Sequence, residues 1–330
     1  MRISASAPTR IDLAGGTIDI WPLYLFHPGA QTLHIAISLR AHAWIEARPD
    51  DRIELVSEDT DRRVNLPADR LREDETLPLL GRLVHRFGAH GLRLTTRGES
   101  PAGAGIAGSS ALNIAICGAL ARFTGQDLDP EVLMAIAKDV EAQVIHVPTG
   151  LQDYRPAMYG GIAALELEAG RPVRVALDVD PGELQRRLVL CYTGEPRNSG
   201  TNNWEITKRH IDGDRHIFDC FERIRDTAAA MRLALTRGDW ATTAQCLATE
   251  WENRKRLAPG VTTAVIDDLI ARGMAAGAQG AKVCGAGGGG CLVCIAPPDQ
   301  VPAVRDALAE GGARILDFRI ETTGLSVVQE

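Results

Sequence analysis

A glycine-rich segment between a predicted strand and a predicted apolar helix most strongly limits what this chain can fold into. It reads Pro101-Ala-Gly-Ala-Gly-Ile-Ala-Gly-Ser-Ser-Ala111, and the helix is predicted over about Ser109–Phe123. Glycines let backbone N–H groups approach a ligand closely, and the N terminus of a helix carries a partial positive charge. The segment therefore indicates a loop that cradles phosphate, with a purely structural glycine-rich turn as the alternative.

This segment differs from two other phosphate-binding patterns. It lacks the Gly-Lys-Ser/Thr ending of a Walker A loop. Gly103, Gly105 and Gly108 have G-x-G-x-x-G spacing, but no acidic residue follows at the end of a second parallel strand, as a dinucleotide-binding fold requires. A hydroxyl at the start of the helix, from Ser109 or Ser110, can reach a Mg²⁺ ion that phosphates hold. These serines strengthen the phosphate-binding interpretation.

Two carboxylates, Glu141 and Asp153, follow this helix in the sequence. Glu141 lies near the end of a helix predicted over about Glu131–Gln143, and Pro148-Thr149-Gly150 predicts a turn that can bring Asp153 back toward it. Transfer of a phosphate to an alcohol needs one carboxylate to fix the metal ion and another to orient or deprotonate the attacking hydroxyl. Two solvated surface residues would show the same spacing, so both interpretations stay open at this point.

A second glycine-rich segment, Gly285–Gly290, lies between two apolar stretches that are predicted to be strands. A tight hairpin needs only one or two glycines, and this segment has five. A flat loop without side chains that faces a ligand explains this composition better than flexibility alone.

The length and charge of the chain narrow the classes of protein to which it can belong. At 330 residues it exceeds the usual size of a single hydrophobic core, so two domains with a cleft between them are expected. The polar stretch Asp178–Gly182 places the boundary near residue 180, which gives domains 1–180 and 181–330. A net charge of −7 without a basic cluster argues against nucleic-acid and membrane partners.

The composition also predicts a cytoplasmic location. The first residues lack the basic and then apolar pattern of a signal peptide, and no apolar run approaches the roughly 20 residues that span a bilayer. Seven cysteines, an odd number set mostly in apolar stretches, are typical of reduced thiols in a protein core.

Hydrophobic periodicity predicts a mixed α+β protein of two layered halves. Besides the two strands that flank Gly285–Gly290, strands are predicted at Arg10–Ala14, Leu33–Leu39, Ala41–Ala47, Arg52–Val56, Leu92–Arg97, Ile162–Leu167, Arg187–Tyr192 and Arg314–Glu321. Helices are predicted at Leu77–Phe87, Ser109–Phe123, Glu131–Gln143, Ile217–Arg237, Trp240–Leu257, Thr263–Ala276 and Val301–Glu310. The chain after Pro148 is predicted to be irregular, and Thr193–Asn203 to be a polar loop.

Three segments, taken in this order, resemble the motifs of the GHMP kinases, the family named for galactokinase, homoserine kinase, mevalonate kinase and phosphomevalonate kinase. They are Ala7–Asp19, Pro101–Ala111 and Lys282–Gly290, and the resemblance runs over nearly the whole chain. Within the family, the sequence looks closest to heptose-7-phosphate kinases and to the kinase part of L-fucose kinases. This resemblance implies a mixed-sheet N-terminal domain, a ferredoxin-like α/β C-terminal domain and an active site between them.

The resemblance also implies a reaction and a set of site residues. The reaction is Mg²⁺-dependent transfer of phosphate from ATP to a hydroxyl, expected to be the anomeric one, of a sugar or sugar phosphate. Asp153 resembles the catalytic base and Arg10 the basic residue beside it, and Ser109 and Glu141 resemble the Mg²⁺ ligands. The residues implied to bind the nucleotide are Pro101, Gly103, Ala104, Gly105, Ala107, Gly108, Ser109 and Ser110. Those implied to bind the acceptor are Gly16, Thr17, Asp19, Gly150, Gly287 and Gly288.

Two other functions fit the same resemblance. A mevalonate-type kinase is one, supported by His146, since mevalonate kinases also carry a histidine before the aspartate. A non-catalytic regulator that binds nucleotide or sugar is the other, because Gly108 stands where the family's run of serines begins. A homodimer is possible in each case.

Overall fold

The protein consists of two β-sheets with helices packed against them. The computed structural model describes residues 1–196 and 199–330. The strands are β1 (Arg2–Ala14), β2 (Gln31–Ala47), β3 (Ile53–Ser57), β4 (Arg62–Leu66), β5 (Leu92–Gly98), β6 (Ile162–Glu166), β7 (Val173–Ala176), β8 (Leu188–Tyr192), β9 (Gly280–Val283), β10 (Cys291–Ile295), β11 (Arg314–Ile315) and β12 (Ser326–Gln329). The helices are α1 (Pro78–Arg86), α2 (Gly108–Thr124), α3 (Pro130–Ile145), α4 (Tyr154–Tyr159), α5 (Pro181–Gln185), α6 (Ser199–Ile211), α7 (Arg215–Arg237), α8 (Trp240–Arg254), α9 (Ala264–Ala275) and α10 (Val301–Glu310). The α+β class predicted from the sequence is confirmed.

The first sheet is built around the long strand β2. Its strand order is β12-β1-β2-β5-β3-β4, and β6 and β7 extend it from the other half of β2. β2 pairs with β6 through Gln31–Ile35 and with β5 through Ala41–Ala47. The sequence predicted two strands here, at Leu33–Leu39 and Ala41–Ala47. They are the two halves of the single strand β2, and each half pairs with a different neighbour.

The neighbouring strand β1 carries two irregularities in its pairing with β2. The register shifts between Pro8 and Thr9 and again between Asp12 and Ala14. Such bulges bend a strand and redirect its side chains, and they are common next to functional sites. Here the bulges lie on either side of Arg10.

Helix α2 packs against this sheet through small side chains. Most of its residues from Ser110 to Ala121 are buried, and alanine, glycine and cysteine let it lie close to β1 and β2. A Cβ atom on Gly118 would lie 2.8 Å from a methyl group of Leu325, so the C-terminal segment closes over the helix here. The apolar sequence of α2 predicted a buried helix, and the helix is buried because it lies between the sheet and the C-terminal segment.

The second sheet has the ferredoxin-like order expected for the C-terminal half. Its strands are antiparallel in the order β11-β8-β10-β9, and α8, α9 and α10 connect or cover them. Residues of both sheets share one apolar cluster, in which Ile11 and Leu33 pack with Leu190 and Val293. The cleft between the halves is therefore fixed by a common core.

The chain passes from the first sheet to the second between Ala176 and Leu188, on either side of the predicted domain boundary. β12 then returns to pair with β1 in the first sheet. The division into 1–180 and 181–330 stays a prediction. Within the described residues, no helix is both long and apolar enough to cross a membrane.

Several local predictions were wrong. The last predicted strand, Arg314–Glu321, is regular only at Arg314–Ile315, with one further bridge between Ile320 and Ile37. The predicted polar loop Thr193–Asn203 gives way to α6 at Ser199, while residues 197 and 198 lie outside the described part of the chain. The segment after Pro148, predicted to be irregular, contains the short helix α4.

Candidate active site

The glycine-rich loop and the start of α2 form an open cradle of main-chain groups. α2 begins after Ala107, whose φ of 60° is left-handed, and none of the described side chains caps this end. Gly103 and Gly105 also have positive φ, 69° and 75°, which glycine adopts without strain. Uncapped N–H groups at a helix start, together with the helix dipole, favour an anion.

Two other parts of the chain hold this loop in place. The backbone N–H of Arg10 donates to the Ile106 carbonyl at 3.0 Å, and that of Cys291 donates to the Ala104 carbonyl at 2.6 Å. A Cβ atom on Gly290 would lie 2.7 Å from the Ala104 oxygen, so the second glycine-rich segment lies directly against the first. The three segments singled out in the sequence therefore meet at one place.

A cavity of about 340 Å³, called the loop cavity here, opens over the glycine-rich loop. All eight residues predicted to bind a nucleotide line it. The others that line it come from neighbouring elements and are Asp59, Gly98, Ser100, Ala102, Leu112, Glu141, Ile145 and Asp153. The cavity thus joins the glycine-rich loop to both predicted functional carboxylates.

Glu141 is buried beside this cavity and is held by three donors. Its Oε2 atom accepts hydrogen bonds from Ser110 Oγ at 3.2 Å, Asn113 Nδ2 at 3.2 Å and the Tyr154 hydroxyl at 2.5 Å. Burial, and then the negative charge of Glu141, raise the pKa of Tyr154, so the phenol stays protonated and donates. Of the two serines at the helix start, Ser110 contacts Glu141, whereas Ser109 is exposed at the cavity wall.

The donor set at this end of the loop cavity suits Mg²⁺. A carboxylate and hydroxyl groups are hard oxygen ligands, and Mg²⁺ in nucleotide sites binds one or two carboxylates together with phosphates and water. No cluster of three histidine, cysteine, aspartate or glutamate side chains that could hold a metal ion occurs in residues 1–196 and 199–330. Glu141 and the serines therefore fit an ion that phosphate shares, better than a metal site built from protein alone.

Asp153 and Arg10 form an ion pair across 143 residues of sequence. Arg10 is only 1% exposed, and its Nη2 and Nε atoms lie 2.6 and 3.0 Å from Asp153 Oδ1. Its Nη1 donates to the Gly105 carbonyl at 2.7 Å, which ties the pair to the glycine-rich loop. Burial acts to lower the pKa of Arg10, but the charges of Asp153 and Asp12 outweigh it and raise the pKa above its ordinary value. The guanidinium is therefore a fixed positive charge beside Asp153.

A second, smaller cavity of about 40 Å³, called the Asp19 cavity here, adjoins the first. Asp153 lines both cavities. The other residues that line the Asp19 cavity are Arg10, Thr17, Asp19, Ile20, Gly150, Gln152, Asn203, Arg254, Gly285 and Ala286. One carboxylate therefore faces two neighbouring spaces, one of which is large and glycine-lined.

Most, but not all, of the residues predicted to bind the acceptor meet at the Asp19 cavity. Thr17, Asp19 and Gly150 line it, and Gly16 lies behind it. Gly287 and Gly288 instead face the turn at Gly260–Val261, where the Gly288 N–H donates to the Val261 carbonyl at 2.8 Å. Gly285 and Ala286 are the residues of this segment that reach the cavity, because the loop turns away after them.

Asp19 is buried, and the local backbone fixes its position. Its Oδ2 atom accepts from the Gln152 N–H at 2.9 Å, and a Cβ atom at Gly150 would overlap the carboxylate. This contact explains the glycine at position 150. Burial, and then the charge of Asp153, raise the pKa of Asp19 to about 6.

This raised pKa leads to a testable pH dependence. Asp19 loses its charge below about pH 6, and a protonated carboxyl offers fewer acceptors to a substrate hydroxyl. We expect KM for the acceptor to rise as the pH falls through this value, while KM for the nucleotide stays constant. Initial-rate kinetics between about pH 5 and pH 8 measure both quantities. An acceptor KM that does not change over this range would contradict the assignment of Asp19, and Asp19→Asn should abolish the dependence.

A buried ion pair behind the site was not predicted from the sequence. Lys282 Nζ lies 2.7 Å from Asp12 Oδ2 and 2.9 Å from the Asp12 carbonyl, and both side chains are fully buried. Asp12 Oδ1 accepts from the Gly285 N–H at 2.8 Å. Burial acts to raise the pKa of Asp12, but Lys282 and then Arg10 lower it to about 2. The pair joins the first motif to the second glycine-rich segment.

Helix α8 supplies two more residues that sequence reasoning missed, Glu250 and Arg254. Glu250 Oε1 accepts from the Gly15 N–H at 3.1 Å, and Arg254 Nη2 donates to the Gly285 carbonyl. Both are buried, at 0% and 2% exposure. Their spacing of four residues on the buried side of a helix is the sequence signal that could have indicated them.

Comparisons with known proteins agree with this geometry. The model of the GHMP kinases N terminal domain matches residues 77–161, and that of the GHMP kinases C terminal domain matches residues 231–314. D-glycero-alpha-D-manno-heptose 7-phosphate kinase of Campylobacter jejuni is 27% identical over 98% of both chains. Mevalonate kinase of Methanothermobacter thermautotrophicus is 30% identical over 79% of this chain and 88% of that protein.

Solved structures share the fold. A D-glycero-D-manno-heptose 1-phosphate kinase from Bacteroides thetaiotaomicron superposes with a TM-score of 0.80 at 23% identity, covering 99% of both chains. A putative sugar kinase from Campylobacter jejuni superposes with a TM-score of 0.79 at 24% identity, and the match covers 100% of this chain and 98% of that one. Family models for both halves and relatives that match along nearly the whole length lead to one conclusion: the chain belongs to the GHMP kinase family and is a small-molecule kinase.

Proposed function

We propose that the protein transfers the γ-phosphate of ATP to the anomeric hydroxyl of a sugar or sugar phosphate, with Asp153 as the base. The observation that carries this proposal is the position of Asp153, which lines both the loop cavity and the Asp19 cavity. A kinase needs its base where the donor phosphate and the acceptor hydroxyl meet. Asp153 has that position if the nucleotide occupies the larger cavity and the acceptor the smaller.

The loop cavity suits a triphosphate. Main-chain N–H groups at the start of α2 and the positive end of its dipole favour negative oxygens, and the glycines leave room for a close approach. Glu141, Ser109 and Ser110 would hold Mg²⁺ there. When bound, the ion supplies positive charge that neutralises the phosphate oxygens.

The Asp19 cavity suits a polyhydroxylated acceptor. Asp19 is a fixed carboxylate that can accept hydrogen bonds from two neighbouring hydroxyls, and Thr17 lies beside it. The similarity to a heptose 7-phosphate kinase favours a sugar or sugar phosphate as acceptor.

The residues around Asp153 suit an in-line transfer. The acceptor hydroxyl gives its proton to Asp153 as its oxygen forms a bond to the γ-phosphorus, and the bond from that phosphorus to the bridging oxygen of ADP breaks. Arg10 donates from Nη2 and Nε to Oδ1 of Asp153, which fixes the position of the carboxylate. Its charge also stabilises negative charge that develops on the transferred group.

Measurement of ADP formation tests this proposal. Purified protein with ATP and Mg²⁺ is assayed against hexoses, heptose 7-phosphate, uronic acids and mevalonate. We expect ADP to form with a sugar or sugar phosphate, and a phosphorus signal coupled to the anomeric proton in the product. The absence of ADP with every sugar in the panel would contradict the proposal.

A mevalonate-type kinase is the second candidate, because one of the similar proteins is a mevalonate kinase at 30% identity. The histidine that supported it, His146, ends α3 and lines a separate apolar depression with Trp204. Faster turnover of mevalonate than of any sugar in the same panel would favour this candidate. A non-catalytic regulator would turn over none of them. The ion pair of Arg10 with Asp153 beside the loop cavity supports a catalytic protein over a regulator. A homodimer and a cytoplasmic location remain predictions.

A further inference from the structure

Arg254 has a hydrogen-bonding capacity that its own surroundings do not use. It is 2% exposed, and its Nη2 atom donates to the Gly285 carbonyl. Its Nη1 atom is buried and has no hydrogen-bond partner among the described residues. A buried guanidinium with an unmet donor is costly, because desolvation of the charged group is not compensated. The unmet donor therefore indicates a partner that binds from outside the chain.

The residue that carries this unmet donor lines the Asp19 cavity. Arg254 lines this cavity, and a Cβ atom at Gly16 would overlap Nη1. Gly16 thus leaves the space that the guanidinium occupies. Any larger residue at position 16 would push Nη1 away from the cavity wall.

Two other residues that line the same cavity also carry unmet polar atoms. Gln152 Oε1 and Asn203 Oδ1 are buried without partners in the described part of the chain. Each belongs to an amide group that can donate as well as accept hydrogen bonds. Unmet groups from three separate elements, which converge on one space, are typical of a ligand site.

Among the described residues, the other charged groups near the site pair with one another and not closely with Arg254. Arg10 pairs with Asp153 at 2.6 Å, and Lys282 pairs with Asp12 at 2.7 Å. Glu250 lies one helical turn before Arg254, and the two charges attract each other. Its Oε1 atom accepts from the Gly15 N–H, and its Oε2 atom has no hydrogen-bond partner among the described residues. Among the described residues, no carboxylate lies within 4.0 Å of the Arg254 guanidinium nitrogens.

We propose that Arg254 binds an anionic group on the acceptor, so that the enzyme selects acidic sugars over neutral ones. This inference rests on the proposed function, because it assigns the Asp19 cavity to the acceptor. A guanidinium binds phosphate or carboxylate with two parallel hydrogen bonds. The unmet oxygens of Gln152 and Asn203 can accept from hydroxyls of the same molecule, and only the NH2 groups of these amides can donate to its anionic group. Asp153 would then face the reacting hydroxyl while Arg254 holds the charged group of the same molecule.

Kinetics with matched acceptors test this inference. Wild-type protein and Arg254→Gln are assayed with heptose 7-phosphate, a uronic acid and the neutral parent sugars. The loss of a hydrogen bond to a charged group corresponds to about a 10–150-fold rise in KM for the acidic acceptor. We expect kcat and KM for ATP to change by less than about threefold, since Arg254 would act in acceptor binding. The two acidic compounds show whether phosphate or carboxylate is preferred.

Two further variants separate binding from a structural role. Arg254→Lys keeps the charge and should recover part of the affinity for the acidic acceptor. Arg256→Gln changes an exposed arginine two residues after the end of α8 and should have no effect. Melting temperatures show whether each variant is folded. An equal loss for acidic and neutral acceptors in Arg254→Gln, or a wild-type enzyme that prefers neutral sugars, would overturn the inference.

Calorimetric titration of heptose 7-phosphate and the uronic acid, without nucleotide, distinguishes a failure of the anion-site proposal from a failure of the kinase proposal. Binding that depends on Arg254 but gives no ADP with ATP present would support the anion site and contradict the kinase proposal. Turnover of neutral sugars alone would support the kinase proposal and contradict the anion site. Failure of every acidic sugar both to bind and to react would contradict the anion site, and the neutral sugars would then decide the kinase proposal.

Discussion

Replacement of Asp153 by asparagine is expected to lower kcat by about 10²–10⁴-fold, the range that a positioned general base contributes. Asparagine has the same shape and can still accept hydrogen bonds from Arg10 through its oxygen, so the local structure should persist. It is neutral and cannot take the proton of the acceptor hydroxyl. The dissociation constant for ATP should change by less than about threefold, because the proposal assigns the phosphates to the loop and the start of α2.

Steady-state kinetics and nucleotide titration on the same preparation measure this effect. Asp317→Asn is a suitable control, because that side chain is 87% exposed and forms a surface pair with Arg305. A variant at position 153 that keeps full activity would show that another group is the base. Parallel loss of ATP binding and kcat would assign Asp153 to nucleotide binding instead.

Removal of one partner of the buried Asp12–Lys282 pair is expected to lower the free energy of unfolding by about 3–5 kcal/mol. In Asp12→Asn, Lys282 would be left buried near Arg10 and Arg254 without its counter-ion. Because Gly285 also bonds to Asp12, the loop that lines the Asp19 cavity should loosen as well. Urea unfolding followed by circular dichroism measures the first effect, and KM for the acceptor measures the second.

The surface pair of Arg305 and Asp317 provides the comparison. Its side chains are 39% and 87% exposed, so Arg305→Gln should cost about 0–1 kcal/mol. The double variant Asp12→Asn with Lys282→Met should be more stable than Asp12→Asn alone, because no charge is left unpaired. A loss in Asp12→Asn no larger than in Arg305→Gln would contradict a structural role for the buried pair.

Ionised Asp12 should stabilise the folded protein, and this contribution to the free energy of unfolding should depend on pH. Its pKa of about 2 in the folded protein lies below the ordinary 3.8, so the folded state favours the ionised form. The stabilisation is fully present above about pH 4 and is lost as the pH falls through about 2.

Local sequence patterns were informative for the part of the candidate site that one continuous segment of the chain forms. The glycine-rich loop and α2 follow each other directly, so glycine content and apolar periodicity sufficed to indicate a glycine-rich loop that leads into a helix start. Glu141 lies on the next helix and reaches the same cavity. Its hydrogen bond with Ser110 depends on the rotation of α2 against α3, and composition does not encode that rotation.

Contacts between distant segments could not be derived in this way. Arg10 meets Asp153 across 143 residues, and only the resemblance to a known family indicated that pair. Asp12, Lys282 and Arg254 look like ordinary charged residues in the sequence, because nothing local shows which charges the fold buries together. Strand β12 is a four-residue strand that forms only because the edge of β1 is there to pair with it.

The most direct test is a crystal structure with a non-hydrolysable ATP analogue, Mg²⁺ and heptose 7-phosphate. We expect the phosphates of the analogue at the backbone amides that begin α2, and the acceptor hydroxyl about 2.6–3.2 Å from the Asp153 carboxylate. Phosphates bound away from the glycine-rich loop, or an acceptor held out of reach of Asp153, would contradict the placement of the base between the two substrates.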